Sequence, residues 1–174
     1  MLRIGTLGSS RISRPALIEP ADSVPEVTVA AVAARDMARA EAYALRHGLE
    51  RAYGSYEELL ADPDIDAVYN PLPNSLHGPW TLRAIEAGKH VLCEKPLTRH
   101  PEEAEAAFDA ADRAGLILSE AFMYRHNPQT AKLKQLVADG AIGELLLGRE
   151  DALGQARALE ALHASATTSS PVSL

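Results

Sequence analysis

The sequence has one cysteine, Cys93, so no disulfide can form within the chain. No apolar run approaches the roughly 20 residues that a membrane-spanning helix needs, and the opening residues pass directly into a strand pattern that leaves no room for a signal peptide. Basic residues are few: 17 Lys and Arg face 24 Asp and Glu, and the net charge of -7 gives no electrostatic reason to expect nucleic acid or an anionic membrane as a partner. We therefore expect a cytoplasmic protein.

The composition is that of a globular domain. Apolar residues make up 47% and charged residues 24% of the 174 positions, enough for one folded core. The six histidines form no zinc pattern with Cys93, since His90 and Cys93 would point to opposite faces of one strand. No metal is predicted.

Short strand-like runs alternate with longer helical patterns along the chain, as a parallel sheet with crossover helices requires. The predicted strands are Leu2–Leu7, Val27–Ala34, Arg51–Tyr53, Ala67–Asn70, His90–Cys93 and Leu116–Ser119. Two of the predicted helices come directly after the capping residues Asp36 and Ser55. The other four begin at about Arg11, His77, Pro101 and Pro128. Six strands supply two mononucleotide-binding halves, so the sequence predicts an α/β fold: a single domain with a doubly wound parallel sheet of the Rossmann type.

The last part of the chain has a different pattern. Leu145–Leu147 is predicted to be one more strand, and a helix is predicted over Asp151–His163, whose leucines fall on one stripe. Ser165–Leu174 is small and polar and is predicted to be frayed. We therefore divide the chain into a nucleotide-binding part, 1–148, and a C-terminal helix with its tail, 149–174.

The first candidate site is Gly8–Ser13, which follows the first strand and opens a helix. Gly8 can form the tight turn, and the free N–H groups and the dipole at the helix start favour a diphosphate. Ser10 and Ser13 stand where the fingerprint has its second and third glycines. The alternative is an ordinary strand-to-helix turn.

The second candidate site follows the second strand. Proteins that bind NAD usually have an acid here for the ribose 2′-OH, whereas those that bind NADP supply arginine for the 2′-phosphate. Arg35 has no acid before it, and Arg39 follows one helical turn later. The pair favours NADP over NAD. In the alternative, both are solvated surface residues and Asp36 is only a helix cap.

Two further candidates follow the fourth and fifth predicted strands, at the edge where open α/β sheets bind ligands. In Leu72–His77, Asn74 and His77 are candidates for the coenzyme ribose or a substrate hydroxyl; alternatively Asn74 or Ser75 caps a helix. In Glu94–Pro96, Glu94 and Lys95 could form a buried ion pair, which costs free energy and is therefore expected mainly where it serves a function. Lys95 is the candidate catalytic residue, because an ammonium group can hold a hydroxyl and assist its proton loss. Pro96 is a candidate for a cis bond; the alternative is a surface salt bridge and a turn proline.

Together these segments resemble the Gfo/Idh/MocA oxidoreductase family, and in particular its NADP-dependent sugar and dihydrodiol dehydrogenases. The resemblance covers residues 1 to about 148. It is carried, in the family's order, by Gly8–Ile12, Ala34–Asp36, Tyr56–Leu60, Pro73–His77, Ala87–Leu97 and Glu120–Arg125.

The resemblance implies a role for each matched residue. The loop of Gly8, Ser9, Ser10, Arg11 and Ile12 would hold the diphosphate, and Arg35, helped by Arg39, the 2′-phosphate. The nicotinamide ribose would be lined by Leu72, Pro73, Asn74 and His77. Glu94 and Lys95 would lie at the reacting centre, and Arg125 near the nicotinamide.

Members of the family continue into a large sheet domain that supplies most of the substrate pocket, and the sequence contains no equivalent of it. The resemblance resumes at Asp151–Arg157, which is similar to the family's last helix, so we infer an internal deletion near Gly148–Asp151, engineered rather than natural. An edge strand at Leu145–Leu147 would invite a homodimer. Three functions remain open: an NADP(H)-binding domain with little turnover, an active NADP-dependent dehydrogenase of sugars or small carbonyls, and a non-catalytic scaffold.

Overall fold

The computed structural model describes residues 1–141, which form one parallel six-stranded sheet covered by helices. The spatial order of the strands is β3-β2-β1-β4-β5-β6, so the chain runs outward from β1 in one direction and then in the other. The strands are β1 Leu2–Leu7, β2 Val27–Ala33, β3 Arg51–Tyr53, β4 Ala67–Asn70, β5 His90–Cys93 and β6 Leu118–Glu120. The doubly wound α/β fold predicted from the sequence is confirmed.

Six helices connect the strands and follow the last one. The first, α1, is a π-helical segment, Arg14–Ile18, continued by the α-helical turn Glu19–Ala21. The others are α2 Met37–His47, α3 Tyr56–Leu60, α4 His77–Glu86, α5 Pro101–Ala114 and α6 Pro128–Ala138. Two short 3-10 turns, Asn74–Leu76 and Met123–His126, precede α4 and α6.

The helix ends follow local capping rules that the sequence predicted. The Asp36 carboxylate accepts from the Arg39 amide at 2.8 Å, and the Ser55 hydroxyl accepts from the Glu58 amide at 3.2 Å. Gly48 and Gly115 close α2 and α5 in the left-handed conformation, with φ of 68° and 67°.

Two elements begin at residues other than those predicted. The first helix begins at Arg14 rather than Arg11, which places Pro15 in the first turn, where its missing N–H costs nothing. The last strand begins at Leu118 rather than Leu116, because the Leu116 amide bonds to the Ala111 carbonyl at 2.9 Å and so completes the end of α5.

The core lies between the sheet and its helices. Small side chains fill the central strands, and Ala30, Ala31 and Ala33 are all fully buried. Gly5 lets α3 approach β1, since a Cβ atom at this position would lie 2.7 Å from Leu59 Cδ2. Because the strands are parallel, their carboxyl ends lie along one edge of the sheet, where the loops after β1, β2, β4, β5 and β6 meet.

Within residues 1–141, no helix is long and apolar enough to cross a bilayer. The predicted strand Leu145–Leu147 and the predicted helix Asp151–His163 lie outside the described residues, as does the polar tail.

Candidate functional site

The loop after β1 presents free backbone donors. Gly8 has φ of 86°, which a residue with a side chain rarely adopts, and its amide bonds to the Ala33 carbonyl at 2.7 Å. The next four residues, Ser9 to Ile12, make no backbone hydrogen bond with the described part of the chain through their amides. The loop is fixed behind them by buried Ser13, whose hydroxyl lies 3.3 Å from that of Thr6. Four unused N–H groups before a helix are suited to an anion.

A cavity of about 440 Å³ lies beside this loop and extends to the ends of β2 and β4. A Cβ on Gly8 would lie 3.0 Å from Leu72 Cδ2, so any side chain at position 8 would require Leu72 to shift. The cavity brings three of the predicted segments together. Its lining residues are Gly8, Ser9, Ser10, Ala34, Arg35, Arg39, Tyr56, Pro71, Leu72, Pro73 and Leu76.

The positive charges of the two arginines that line this cavity are not neutralised by an acidic side chain within residues 1–141. Arg35 and Arg39 are exposed, and neither takes part in an ion pair within residues 1–141. Asp36, which follows Arg35 directly in the chain, has one carboxylate oxygen committed to capping α2. Burial raises the pKa of the Tyr56 phenol, and the positive charges of Arg35 and Arg39 offset part of that increase. The cavity therefore has a positive wall that favours a phosphate.

His77 is fully buried, and its ring connects two loops of the site. Its Nε2 lies 2.6 Å from the Leu72 carbonyl oxygen and its Nδ1 lies 2.7 Å from the Pro96 carbonyl oxygen. A neutral imidazole carries one N–H, so it donates to only one of these two carbonyl oxygens at a time. With both nitrogens occupied by the protein, the ribose contact expected of His77 stays a prediction. Asn74 is exposed, and neither Asn74 nor Ser75 caps a helix.

Asn70 is a site-supporting residue that the sequence analysis missed. It ends β4, is fully buried, and its Nδ2 donates to the His77 carbonyl at 3.1 Å and to the Thr81 hydroxyl at 3.3 Å. Its Oδ1 accepts from the Leu72 amide at 3.4 Å. A polar side chain at the end of an otherwise apolar strand was the available signal.

The ion pair predicted between Glu94 and Lys95 is not formed. Glu94 is half-buried and accepts a 2.7 Å hydrogen bond from the Tyr69 phenol, whereas Lys95 is exposed and takes part in no ion pair within residues 1–141. Burial, followed by the Glu94 hydrogen bond, raises the pKa of Tyr69. The Lys95–Pro96 bond is cis, as expected. Glu94 is thus held by β4, while the Lys95 ammonium group extends from the sheet edge.

Glu120, at the end of β6, was also missed. Its Oε1 accepts from the Leu97 amide at 2.9 Å, whereas its Oε2 is buried and has no hydrogen-bond partner among residues 1–141. Burial raises its pKa; the Leu97 amide and the positive charges of Arg125 and His77 act in the opposite direction. Glu120 therefore anchors the segment that follows Lys95.

Arg125 lies in the 3-10 turn after β6, near this end of the site. Its guanidinium stacks over the Phe122 ring, 5.2 Å from the ring centre. Within residues 1–141, no group of three or more histidine, cysteine or acidic side chains is placed to hold a metal ion.

A parallel sheet in this order, with a glycine turn and free amides after its first strand, defines a Rossmann-fold protein. Residues 2–122 match the model of the Gfo/Idh/MocA family, described as an oxidoreductase family with an NAD-binding Rossmann fold. The chain belongs to this family and is its NAD(P)-binding domain.

Curated relatives and solved structures share this domain. The chain is 50% identical over 137 residues to D-xylose 1-dehydrogenase (NADP(+)) 2 of Haloferax volcanii, covering 79% of the chain and 42% of the relative. It is 48% identical over 145 residues to an uncharacterised oxidoreductase of Rhizobium meliloti, covering 83% of the chain and 43% of the relative. A 3-ketoreductase from Actinomadura kijaniata, crystallised with NADP and TDP-benzene, is 41% identical with a TM-score of 0.75, covering 82% of the chain and 44% of that structure. The chain thus spans less than half the length of these relatives.

Proposed function

We propose that the chain binds NADP(H) in preference to NAD(H), as the coenzyme-binding half of an oxidoreductase acting on sugars or small carbonyl compounds, with little turnover of its own. The observation that carries the proposal is the pair Arg35 and Arg39, two uncompensated guanidinium groups on one wall of the cavity beside Gly8. Arginine forks match phosphate oxygens, and a 2′-phosphate is the group that distinguishes NADP from NAD.

The residues present fit such a coenzyme. The amides of Ser9 to Ile12 are free to bind a diphosphate, and the absence of a Cβ at Gly8 keeps the cavity floor open. The apolar side chains of Leu72 and Leu76 supply a surface for a flat ring beside the arginines. The NADP-linked activity of the Haloferax relative and the NADP in the Actinomadura ketoreductase support the same coenzyme.

The proposed reacting centre is Lys95. When bound, the coenzyme would supply hydride transfer, and the Lys95 ammonium group would hold the oxygen of an alcohol or carbonyl substrate and stabilise the charge that develops there. The hydrogen bond from Tyr69 to Glu94 and the contact of Glu120 with the Leu97 amide hold the flanking residues, so that the position of Lys95 is set by β4 and β6.

Low turnover follows from exposure. Lys95 is open to solvent, and water weakens the electrostatic interactions that an enclosed site strengthens. Because the chain spans about two-fifths of the length of its relatives, we assign substrate enclosure to the parts of those relatives that have no counterpart in this chain.

The experiment is a titration of NADP+ and NAD+, followed by thermal unfolding, on the wild-type chain, Arg35→Ala and Arg113→Ala. A ligand that binds only the folded state raises its stability, by about 2.7 kcal/mol at a hundredfold excess over Kd. NADP+ should give the larger shift, and Arg35→Ala should weaken NADP+ at least about tenfold while leaving NAD+ nearly unchanged. Arg113 is exposed, forms no ion pair within residues 1–141 and does not line the cavity, so Arg113→Ala should bind as the wild type does.

Two outcomes would contradict the proposal. The absence of a shift with either nucleotide at millimolar concentration would favour a scaffold. Steady-state reduction of NADP+ by a panel of aldoses, abolished in Lys95→Ala, would show a working dehydrogenase instead of a domain with little turnover.

A further inference from the structure

A second cavity, of about 560 Å³, lies on the far side of Arg39 between the loop after β1 and the outer turns of α2. We call it the basic cleft. Its lining contains four arginines, one histidine and no carboxylate, in a chain whose net charge is -7. The lining residues are Ser9, Ser10, Arg11, Arg14, Arg39, Ala42, Tyr43, Arg46 and His47.

The residues by which α2 lines the cleft lie on one face of the helix. Arg39, Tyr43, Arg46 and His47 are spaced i, i+4, i+7 and i+8, the spacing that usually carries the apolar stripe of a helix. Here that face is turned towards the first loop, and the Tyr43 phenol fixes the distance by donating to the Ser10 carbonyl at 2.9 Å.

Three of the four arginines of the cleft form no ion pair within residues 1–141. Arg11, Arg39 and Arg46 take part in no ion pair within residues 1–141, and Arg14 has only exposed Glu19, at 2.7 Å. Burial, then the charges of Arg14 and Arg46, lower the pKa of His47. Clustered like charges repel one another, so an anion in the cleft would relieve a cost that the free protein carries.

Most of the residues that line the basic cleft do not line the cavity that contains Arg35. The two cavities share only Ser9, Ser10 and Arg39, while Arg14, Arg46 and His47 line the cleft alone. Arg46 follows Arg39 by seven residues, about two turns or roughly 10 Å further along α2, so it lies towards the end of the helix that is remote from Arg35. We propose that the basic cleft is a second anion-binding site, separate from the dinucleotide pocket, and that its ligand is a phosphorylated small molecule.

The test is calorimetric titration of inorganic pyrophosphate into the whole 174-residue chain in phosphate-free buffer of low ionic strength. Arg46→Ala should weaken binding about tenfold, the loss expected for one charge-assisted hydrogen bond. Arg113→Ala is the matched control, because Arg113, like Arg46, is an exposed arginine in the last turn of its helix and forms no ion pair within residues 1–141. The Arg113→Ala variant should bind pyrophosphate as the wild type does. Arg46→Lys, which keeps the charge but loses the planar fork, should fall between the two.

A second arm repeats the titration with saturating NADP+. Pyrophosphate that still binds, with the same loss in Arg46→Ala, supports a separate site. The proposal is overturned if pyrophosphate fails to bind at millimolar concentration or if the two alanine variants lose affinity equally. It is overturned also if NADP+ abolishes pyrophosphate binding and Arg46→Ala weakens NADP+ by the same factor, since the cleft would then belong to the dinucleotide pocket. If the chain binds no NADP+, the proposed function is refuted. The pyrophosphate titration of the wild type, Arg46→Ala and Arg113→Ala without NADP+ would still test the basic cleft.

Discussion

Nδ1 of His77 lies 2.7 Å from the carbonyl oxygen of Pro96, so the start of α4 is joined directly to the loop that carries Lys95. The other ring nitrogen bonds to Leu72 in the neighbouring loop, beside the proposed coenzyme cavity. One buried imidazole therefore sets the spacing of two loops that must act together.

Replacing His77 by alanine should destabilise the fold by about 3 kcal/mol, because it leaves two carbonyl groups without their donor and opens a void. Urea unfolding measures the change. His126→Ala removes an exposed histidine and should change stability by less than about 0.5 kcal/mol. Equal effects of the two substitutions would show that the His77 bridge contributes nothing.

Gly8 and Gly48 allow the backbone and the site contributions of a glycine to be separated. Both have positive φ, 86° and 68°, but a Cβ would contact Leu72 at Gly8 and nothing within 4 Å at Gly48. Alanine at either position should cost about 1 kcal/mol or more through backbone strain. Only Gly8→Ala should also weaken NADP+ binding, measured by the thermal shift; equal affinity in the two variants would argue against the assigned diphosphate loop.

We expect the folded state to lose stability in acid as Asp62 becomes protonated. Burial raises its pKa, but hydrogen bonds from Tyr53, the Asp64 amide and Arg51 outweigh burial and lower the pKa from 3.8 to about 2. A carboxylate with a lowered pKa in the folded state stabilises fully above its unfolded pKa and loses that contribution as the pH falls towards 2. Thermal unfolding between pH 5 and 2 should therefore show a decline that is smaller in Asp62→Asn, and an unchanged slope in that variant would contradict the assignment.

Cys93 should be inert in the folded chain. It is fully buried at the end of β5, and burial raises the pKa of its thiol to about 12. A thiol-specific chromogenic reagent at pH 8 should detect almost no reaction until urea unfolds the chain, when one equivalent reacts. Fast reaction of the native protein would show that the edge of the sheet opens readily.

Local signals explain how much of the fold was predictable. Asp36, Ser55, Gly48 and Gly115 act on neighbouring backbone, so their positions in the sequence placed four helix ends correctly. The alternation of strands and helices fixed the class of fold for the same reason. The start of α1 was misplaced because the helical pattern extends back through residues that the structure leaves as a loop.

The site was less predictable, because its geometry depends on residues that are distant in sequence. The partners of His77 and of Glu120 arise only when β4, β5 and β6 align, and no pattern within one segment reveals them. The Glu94–Lys95 ion pair failed for a related reason: Tyr69, on the adjacent strand, takes the carboxylate instead. Arg35 and Arg39 were predicted together because both follow one strand end, and both line the same cavity.

A crystal structure of the chain with NADP+ tests the central claim most directly. The account predicts the diphosphate on the amides of Ser9 to Ile12 and the 2′-phosphate between Arg35 and Arg39. A coenzyme bound elsewhere, or a loop that remains empty at saturating NADP+, would contradict it.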